Sequence, residues 1–373
     1  MAALKRWLAA ALACAAAATA QAEELLAALR EEVVMVPAPG AALETTLFRP
    51  AGDGPFRLVV VNHGKAAGEP RRQPRARYLA LAHELVQRGY AVVVPMRRGF
   101  AHSEGDYAAH PCDARAHGMA QADDVRAALE FYGRRADIDA SRVVVIGQSA
   151  GGLTSLALGA QRVPAVAGLV NFAGGLREDG CADWQGGLAD AFGAYGEASR
   201  VPSLWFYGDN DAHFAPRVWQ ELHRAYTARG GLATLVAHGR FGDDAHELAE
   251  RRAGAAVWLP AMARFFADLG LPFERLHDIA LGDHEAPPPA ATHYAVLADA
   301  AAVPALRGAG VGAYAQFLKA DRPRAFAVGE DGSWSWYSGT ADAMTRALSY
   351  CGQHAGAPCR LYAVDDTVVW MPH

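Results

Sequence analysis

Between Glu31 and His246, short runs rich in β-branched residues alternate with longer amphipathic stretches. That rhythm leaves few folds open, because strands separated by helical segments pair in parallel and need both faces of their sheet covered. The spacing predicts strands at Glu32–Val36, Leu43–Phe48, Leu58–Asn62, Ala91–Pro95, Arg142–Ile146, Ala167–Phe172, Ser203–Tyr207 and Ala233–Ala237. Only a Pro-Ala-Pro-Gly turn separates the first two, which are therefore expected to be antiparallel. Helices are expected over Arg75–Arg88, Gln121–Arg134, Leu153–Gln161, Pro216–Arg229 and Glu247–Phe266. The fold class is α/β, with an eight-stranded, mostly parallel sheet flanked by helices.

The rhythm breaks near Leu269-Gly270-Leu271-Pro272, and Glu285–Ala291 has the proline- and alanine-rich composition of a linker. Beyond it, Ala313–Leu318 and Ala341–Cys351 read as helices, and Arg324–Val328, Ser333–Tyr337 and Arg360–Val369 as strands. A chain of 373 residues has room for a large domain and a smaller one. The expected organisation is a first domain over 23–272, a linker over 273–293 and a small α+β module over 294–373. The module carries no constellation assignable to chemistry.

The N-terminus reads as a signal peptide over residues 1–22: Lys5 and Arg6, the apolar stretch Trp7–Ala20, then a small-x-small site at Ala20-Gln21-Ala22. A lipid anchor at Cys14 is the weaker alternative. No later apolar run approaches the ~20 residues that span a bilayer, so the exported protein is expected to be soluble. Setting Cys14 aside leaves Cys112, Cys181, Cys351 and Cys359, an even number that suggests two disulfides in an oxidising compartment. Of three possible pairings, Cys112 with Cys181 and Cys351 with Cys359 is favoured, one staple in each expected domain.

Charge narrows the partners. With a formal charge of −5 and no basic block, the chain lacks the footprint of a nucleic-acid-binding protein. Arg71, Arg72, Arg75 and Arg77 form a local cluster, read as the solvated start of a helix. Oligomeric state is not legible.

The predicted strand Arg142–Ile146 runs directly into Gly147-Gln148-Ser149-Ala150-Gly151-Gly152, with a helix expected next. G-x-S-x-G in that setting is a nucleophile elbow: the turn is so tight that side chains two before and two after the serine would collide with their surroundings. A serine hydroxyl needs a base to take its proton, and an imidazole needs a carboxylate to fix its tautomer. Loops after later strands offer Asp209 and Asp211 as acids, and His213, His238 and His246 as bases. The order Ser149, Asp211, His246 is the favoured set.

Together with Asn62-His63-Gly64 and Arg98-Gly99-Phe100-Ala101-His102-Ser103-Glu104-Gly105, each after a strand, these motifs make residues 31 to 269 resemble the α/β-hydrolase superfamily, and within it the dienelactone-hydrolase-like branch. The enzyme that names the branch has cysteine where this chain has Ser149, which favours a general esterase over a dienelactone hydrolase. The resemblance implies a Ser149-His246-Asp211 triad and an oxyanion site formed by the amides of Ala150 and Lys65. His63, Gly64, Arg98 and Gln148 are candidates at the substrate, on the edge of the sheet where ligands bind in open α/β folds, with anchoring of its own loop an equal reading for Arg98 and a plain loop position an equal one for His63. Neither a metal nor an organic cofactor is called for, and the expected partner is a small-molecule or polymeric ester. About thirty residues separate Phe172 from Ser203, too few for a large lid. Two other readings stay open: a serine peptidase or amidase of prolyl-oligopeptidase-like type, and a binding protein whose C-terminal module recognises a polymer or partner.

Overall fold

The computed structural model describes residues 25–372; the expected signal peptide and Cys14 lie outside the described residues. Eight strands form the main sheet: β1 (Glu32–Ala38), β2 (Ala41–Phe48), β3 (Phe56–Asn62), β4 (Tyr90–Pro95), β5 (Ile138–Gln148), β6 (Val166–Phe172), β7 (Ser203–Tyr207) and β8 (Ala233–Ala237). Their order is β1-β2-β4-β3-β5-β6-β7-β8. β2 is antiparallel to both of its neighbours, and from β4 onward every pairing is parallel. The expected fold class is the one observed.

Successive strand side chains point to opposite faces, and the cores follow that period. Leu58, Val60, Val143 and Val145 join the core beneath α2 (Ala114–Tyr132), α3 (Ala150–Ala160), α4 (Trp184–Ala198) and α5 (Pro216–Ala228). Val59, Val61, Val144 and Ile146 face the other way, beneath α1 (Leu79–Val86) and α6 (Ala255–Asp268).

Besides α2, which begins at Ala114 rather than Gln121, three helices depart from the sequence expectation. The segment expected to be helical from Arg75 begins its helix at Leu79. Arg75 and Arg77 lie two residues apart in non-helical chain, and both guanidiniums turn to the buried Glu31, which accepts from Arg75 Nη1 at 2.9 Å and Arg77 Nε at 2.8 Å. The basic cluster is therefore in part a buried ion group rather than a solvated face. Glu31 accepts from two buried guanidiniums at once, so Glu31→Ala removes both ion pairs and is expected to lower stability by about 3 to 5 kcal/mol, read from the denaturant midpoint.

The second departure is α4, an unexpected crossover helix between β6 and β7. Asp183 caps it by accepting from Gly186 N at 3.0 Å, and Leu188, Ala191, Phe192 and Tyr195 form its buried stripe. Its glycines disguise the pattern because they lower helix propensity. One is required: a Cβ at Gly196 would lie 2.2 Å from the Tyr226 carbonyl oxygen of α5. In the third, the helix expected from Glu247 starts only at Ala255, preceded by short turns at Ala245–Glu247 and Arg252–Gly254.

Residues 273–285 run as a strap along the first domain. The amides of Leu276 and His277 donate to the Gln87 carbonyl at 2.8 and 2.9 Å, and Ile279 and Leu281 pack on the core under α1 and α6. The C-terminal part follows, with α7 (Ala309–Phe317), β9 (Arg324–Gly329), β10 (Trp334–Ser338), α8 (Ala343–His354), β11 (Cys359–Val364) and β12 (Thr367–Val368). Its antiparallel sheet, ordered β10-β9-β11-β12, is covered by α7 over Phe326, Val328 and Tyr362, and by α8 over Ala325, Ala327 and Val364. A turn at Asp365-Asp366 divides the expected single strand Arg360–Val369 in two. Disulfides join Cys112 to Cys181 and Cys351 to Cys359.

Candidate active site

β5 delivers the chain to Ser149, whose φ of 56° and ψ of −125° are strained for a residue with a side chain. The surroundings enforce that bend. A Cβ at Gly147 would stand 2.1 Å from the Gly151 carbonyl oxygen, and one at Gly151 would stand 2.1 Å from that of Asn62. Either substitution would push β5, α3 and β3 apart. Ser149 is held from both sides: its amide donates to the Phe172 carbonyl at 3.0 Å, and its carbonyl accepts from Gly152 N at 2.8 Å and Gly175 N at 3.0 Å. Ala150 opens α3, where amide groups point outward without helical partners and favour negative charge.

Asp211 lies in the turn after β7 with its carboxylate buried. Oδ1 accepts from the amides of His213 and Phe214, each at 2.8 Å, and Oδ2 lies 3.0 Å from His246 Nδ1. A carboxylate only accepts, so the proton between them belongs to Nδ1, and Nε2 is left as the basic nitrogen. Burial alone would raise the Asp211 pKa, but the His246 hydrogen bond and charge, with the two amides, hold it below the usual carboxylate value. For His246, burial pushes the pKa down, and the Asp211 bond and charge, helped by Asp244 and Glu250, leave it above the ordinary histidine value. The His246 amide donates to Asp244 Oδ1 at 2.9 Å, which fixes the loop. Among the rival residues, Asp209 is exposed, His238 is half-buried beside Gly208, and His213 has its ring centre 4.3 Å from that of His246.

Ser149 and His246 line one cavity of about 380 Å³, together with His63, Gly64, Lys65 and Gln148. Gly64 brings its backbone against the serine: a Cβ there would be 3.2 Å from the Ser149 Cβ and 2.5 Å from Gln148 Oε1. The Gly64 amide donates to Tyr78 Oη at 3.0 Å, the Tyr78 hydroxyl donates to Gln148 Oε1 at 3.0 Å, and Gln148 Nε2 donates to the His246 carbonyl at 3.2 Å. Gln148, expected at the substrate, thus bridges the loop after β3 to the His246 loop. Sequence reasoning did not single out Tyr78, which carries no motif and lies just before α1 with φ +48°.

His63 is buried with both ring nitrogens engaged: Nε2 accepts from Arg97 N at 3.1 Å, so Nδ1 donates to the Gly64 carbonyl at 2.6 Å. Burial, with the Arg97 charge, holds it neutral. It braces the loop that carries Lys65. Arg98, also expected at the substrate, is not among the cavity-lining residues; it turns to the buried Asp124, with Nε 2.9 Å from Oδ1. Its carboxylate partner lies inside the protein, and the arginine anchors its own loop to α2.

The cavity has a wall that the sequence did not suggest. Tyr337, Arg346 and Tyr350 of the C-terminal part line it opposite the first-domain residues. They are tied to the His246 loop: the Tyr337 hydroxyl donates to Glu250 Oε2 at 2.9 Å, Arg346 bonds the same carboxylate, and Arg252 N donates to the Gly339 carbonyl at 3.1 Å. On α8, Asp342 and Arg346 lie one turn apart and pair at 3.0 Å, a pattern indistinguishable in sequence from an ordinary surface pair.

Residues 39–201 match the family model for X-Pro dipeptidyl-peptidase (S15 family), a segment that includes Ser149 but ends before Asp211 and His246 and covers less than half of the chain. No curated protein matches the chain. Solved structures with similar architecture include a Klebsiella pneumoniae protein described as a dienelactone hydrolase, 19% identical, covering 64% of this chain and 98% of its own, with a TM-score of 0.48. An esterase from Pyrococcus furiosus is 14% identical over 64% of this chain and 93% of its own, with a TM-score of 0.46. Est1E from Butyrivibrio proteoclasticus, solved with ferulic acid bound, is 15% identical over 62% of this chain and 99% of its own, also at 0.46. The strand order, the single reversed strand β2 and the sharp turn after β5 establish the architecture independently of these likenesses.

Proposed function

Taking the chain as what its fold makes it, an α/β-hydrolase with an added C-terminal module, we propose that it cleaves carboxylic esters through an acyl-enzyme on Ser149. One observation carries this reading: a serine held on a strained strand-to-helix turn shares a cavity with an imidazole whose other nitrogen is bound to a buried carboxylate. Ser149 Oγ attacks the ester carbonyl while His246 Nε2 takes its proton, and Asp211 stabilises the imidazolium. The oxyanion meets the amides of Ala150 and Lys65. His246 then returns the proton to the departing alcohol, and water repeats the sequence to release the acid. A fluorophosphonate probe is expected to label Ser149, found by peptide mapping; label on any other residue, or none, removes the reading.

A second reading has its own support, since the S15 model matches the segment that holds the elbow. In it the same serine cleaves a peptide bond, and the leaving group is an amine. Parallel assays on activated esters and on proline-containing dipeptide amides separate the two; turnover confined to amides would select the peptidase.

Because only neutral His246 can act as base, kcat/KM is expected to fall about tenfold per pH unit below an apparent pKa that lies above the ordinary value of about 6.5. A profile flat down to pH 5 would move the base elsewhere. The two disulfides fit an oxidising, exported location, and cleavage after Ala22 is read by N-terminal sequencing of the mature protein. Among the described residues no helix is long and apolar enough to cross a membrane.

A further inference from the structure

We propose that the C-terminal module selects the leaving group of the substrate, and that the side it selects for is a flat, uncharged aromatic alcohol. The inference rests on the ester reading above. Two cavities meet at Ser149. One, of about 380 Å³, contains His246 and the module's Tyr337, Arg346 and Tyr350. The other, of about 520 Å³, contains Ala150, Phe214 and the loop Gly175–Asp179, and His246 does not line it.

The chemistry assigns a substrate half to each. When the tetrahedral intermediate collapses, the imidazolium gives its proton to the leaving oxygen, so that oxygen must lie beside His246. The negatively charged oxygen faces the start of α3, at Ala150. The alcohol therefore occupies the cavity walled by the module, and the acyl group extends along the loop after β6.

The character of the module wall follows from its bonding. Arg346 brings a positive charge, but Asp342 and Glu250 both pair with it, and its guanidinium packs 4.7 Å from the centre of the Tyr337 ring. The Tyr337 hydroxyl is bonded to Glu250 and Arg346. Tyr337 and Tyr350 stack with centres 6.1 Å apart and planes at 18°. What the wall offers a ligand is aromatic surface whose charges are already paired, suited to another ring. Its bonds to Glu250 fix these rings relative to His246, so the ring-binding wall and the proton donor keep one geometry.

The test uses the full chain and compares kcat/KM, which reports acylation, for 2-naphthyl acetate, methyl acetate and methyl benzoate. In Tyr350→Ala the preference for naphthyl over methyl acetate is expected to fall about tenfold relative to wild type, the scale of one lost apolar contact in a pocket. The preference between methyl acetate and methyl benzoate, which differ only in the acyl group, is expected to stay within twofold. Tyr350→Phe, which keeps the ring, is expected to retain the naphthyl preference. An active wild type whose Tyr350→Ala variant keeps that preference, or changes the acyl preference instead, overturns the assignment alone. So does a Tyr350→Phe variant that loses as much as the alanine. A wild type inert toward all three esters overturns the ester reading and the assignment with it.

Discussion

Replacing Ser149 by alanine is expected to lower kcat on an activated ester by about 10⁶-fold while leaving the circular dichroism spectrum and unfolding midpoint near those of the parent. The size follows from the proposed mechanism, in which loss of the hydroxyl forbids the acyl-enzyme and leaves the oxyanion donors and His246 to assist only a direct attack by water. The fold should tolerate the change, because the contacts that impose the bend are made by Gly147, Gly151 and the Ser149 backbone, none of which needs the hydroxyl. Alanine inherits the positive φ of 56°, so a small loss of stability is expected and a large one is not. A variant that keeps even one-hundredth of parental turnover would place the nucleophile on another residue.

Asp211→Asn is expected to cost roughly 10⁴-fold in kcat. The carboxylate receives three hydrogen bonds, from His213 N, Phe214 N and His246 Nδ1. An asparagine that keeps the two amide bonds through its carbonyl oxygen presents its NH₂ group to the imidazole. That stabilises the opposite tautomer, with the proton on Nε2, where the base is needed. The sign of the pH effect is also set. Asp211 raises the His246 pKa against a burial effect that lowers it, so the residual activity should have its acid limb displaced to lower pH. An unchanged limb with a 10⁴-fold loss would mean that the titrating group is not His246.

The strands of the main sheet could be read from the chain because they are short runs of β-branched or aromatic residues bounded by turn formers, a composition that burial on both faces demands of central strands such as β3 and β4. α4 escaped for a comparable reason in reverse. One of its glycines, Gly196, is dictated by contact with α5, a tertiary requirement that overrides the local signal. The break before Leu79 escaped because a buried acid forty-odd residues earlier draws Arg75 and Arg77 out of helical geometry.

The candidate site divides along the same line. Ser149 announces itself through its flanking glycines, and Asp211 and His246 through their places after β7 and β8. Where Arg98 and Gln148 turn depends on partners that no motif specifies, Asp124 in one case and Tyr78 with His246 in the other. The module's contribution was invisible for a simpler reason. Tyr337, Arg346 and Tyr350 become cavity residues only through docking, and docking is written in scattered contacts to Glu250, Arg251 and Arg252 rather than in any local pattern.

Arg77 reaches both Glu31 and Glu285, residues far apart in the chain. Such a junction closes only after most of the polypeptide has left the ribosome, since one of its acids is made about 200 residues after the guanidinium. A chain ending before the strap lacks the Glu285 half of this junction, so one guanidinium joins the segment ahead of β1 to the strap that follows α6.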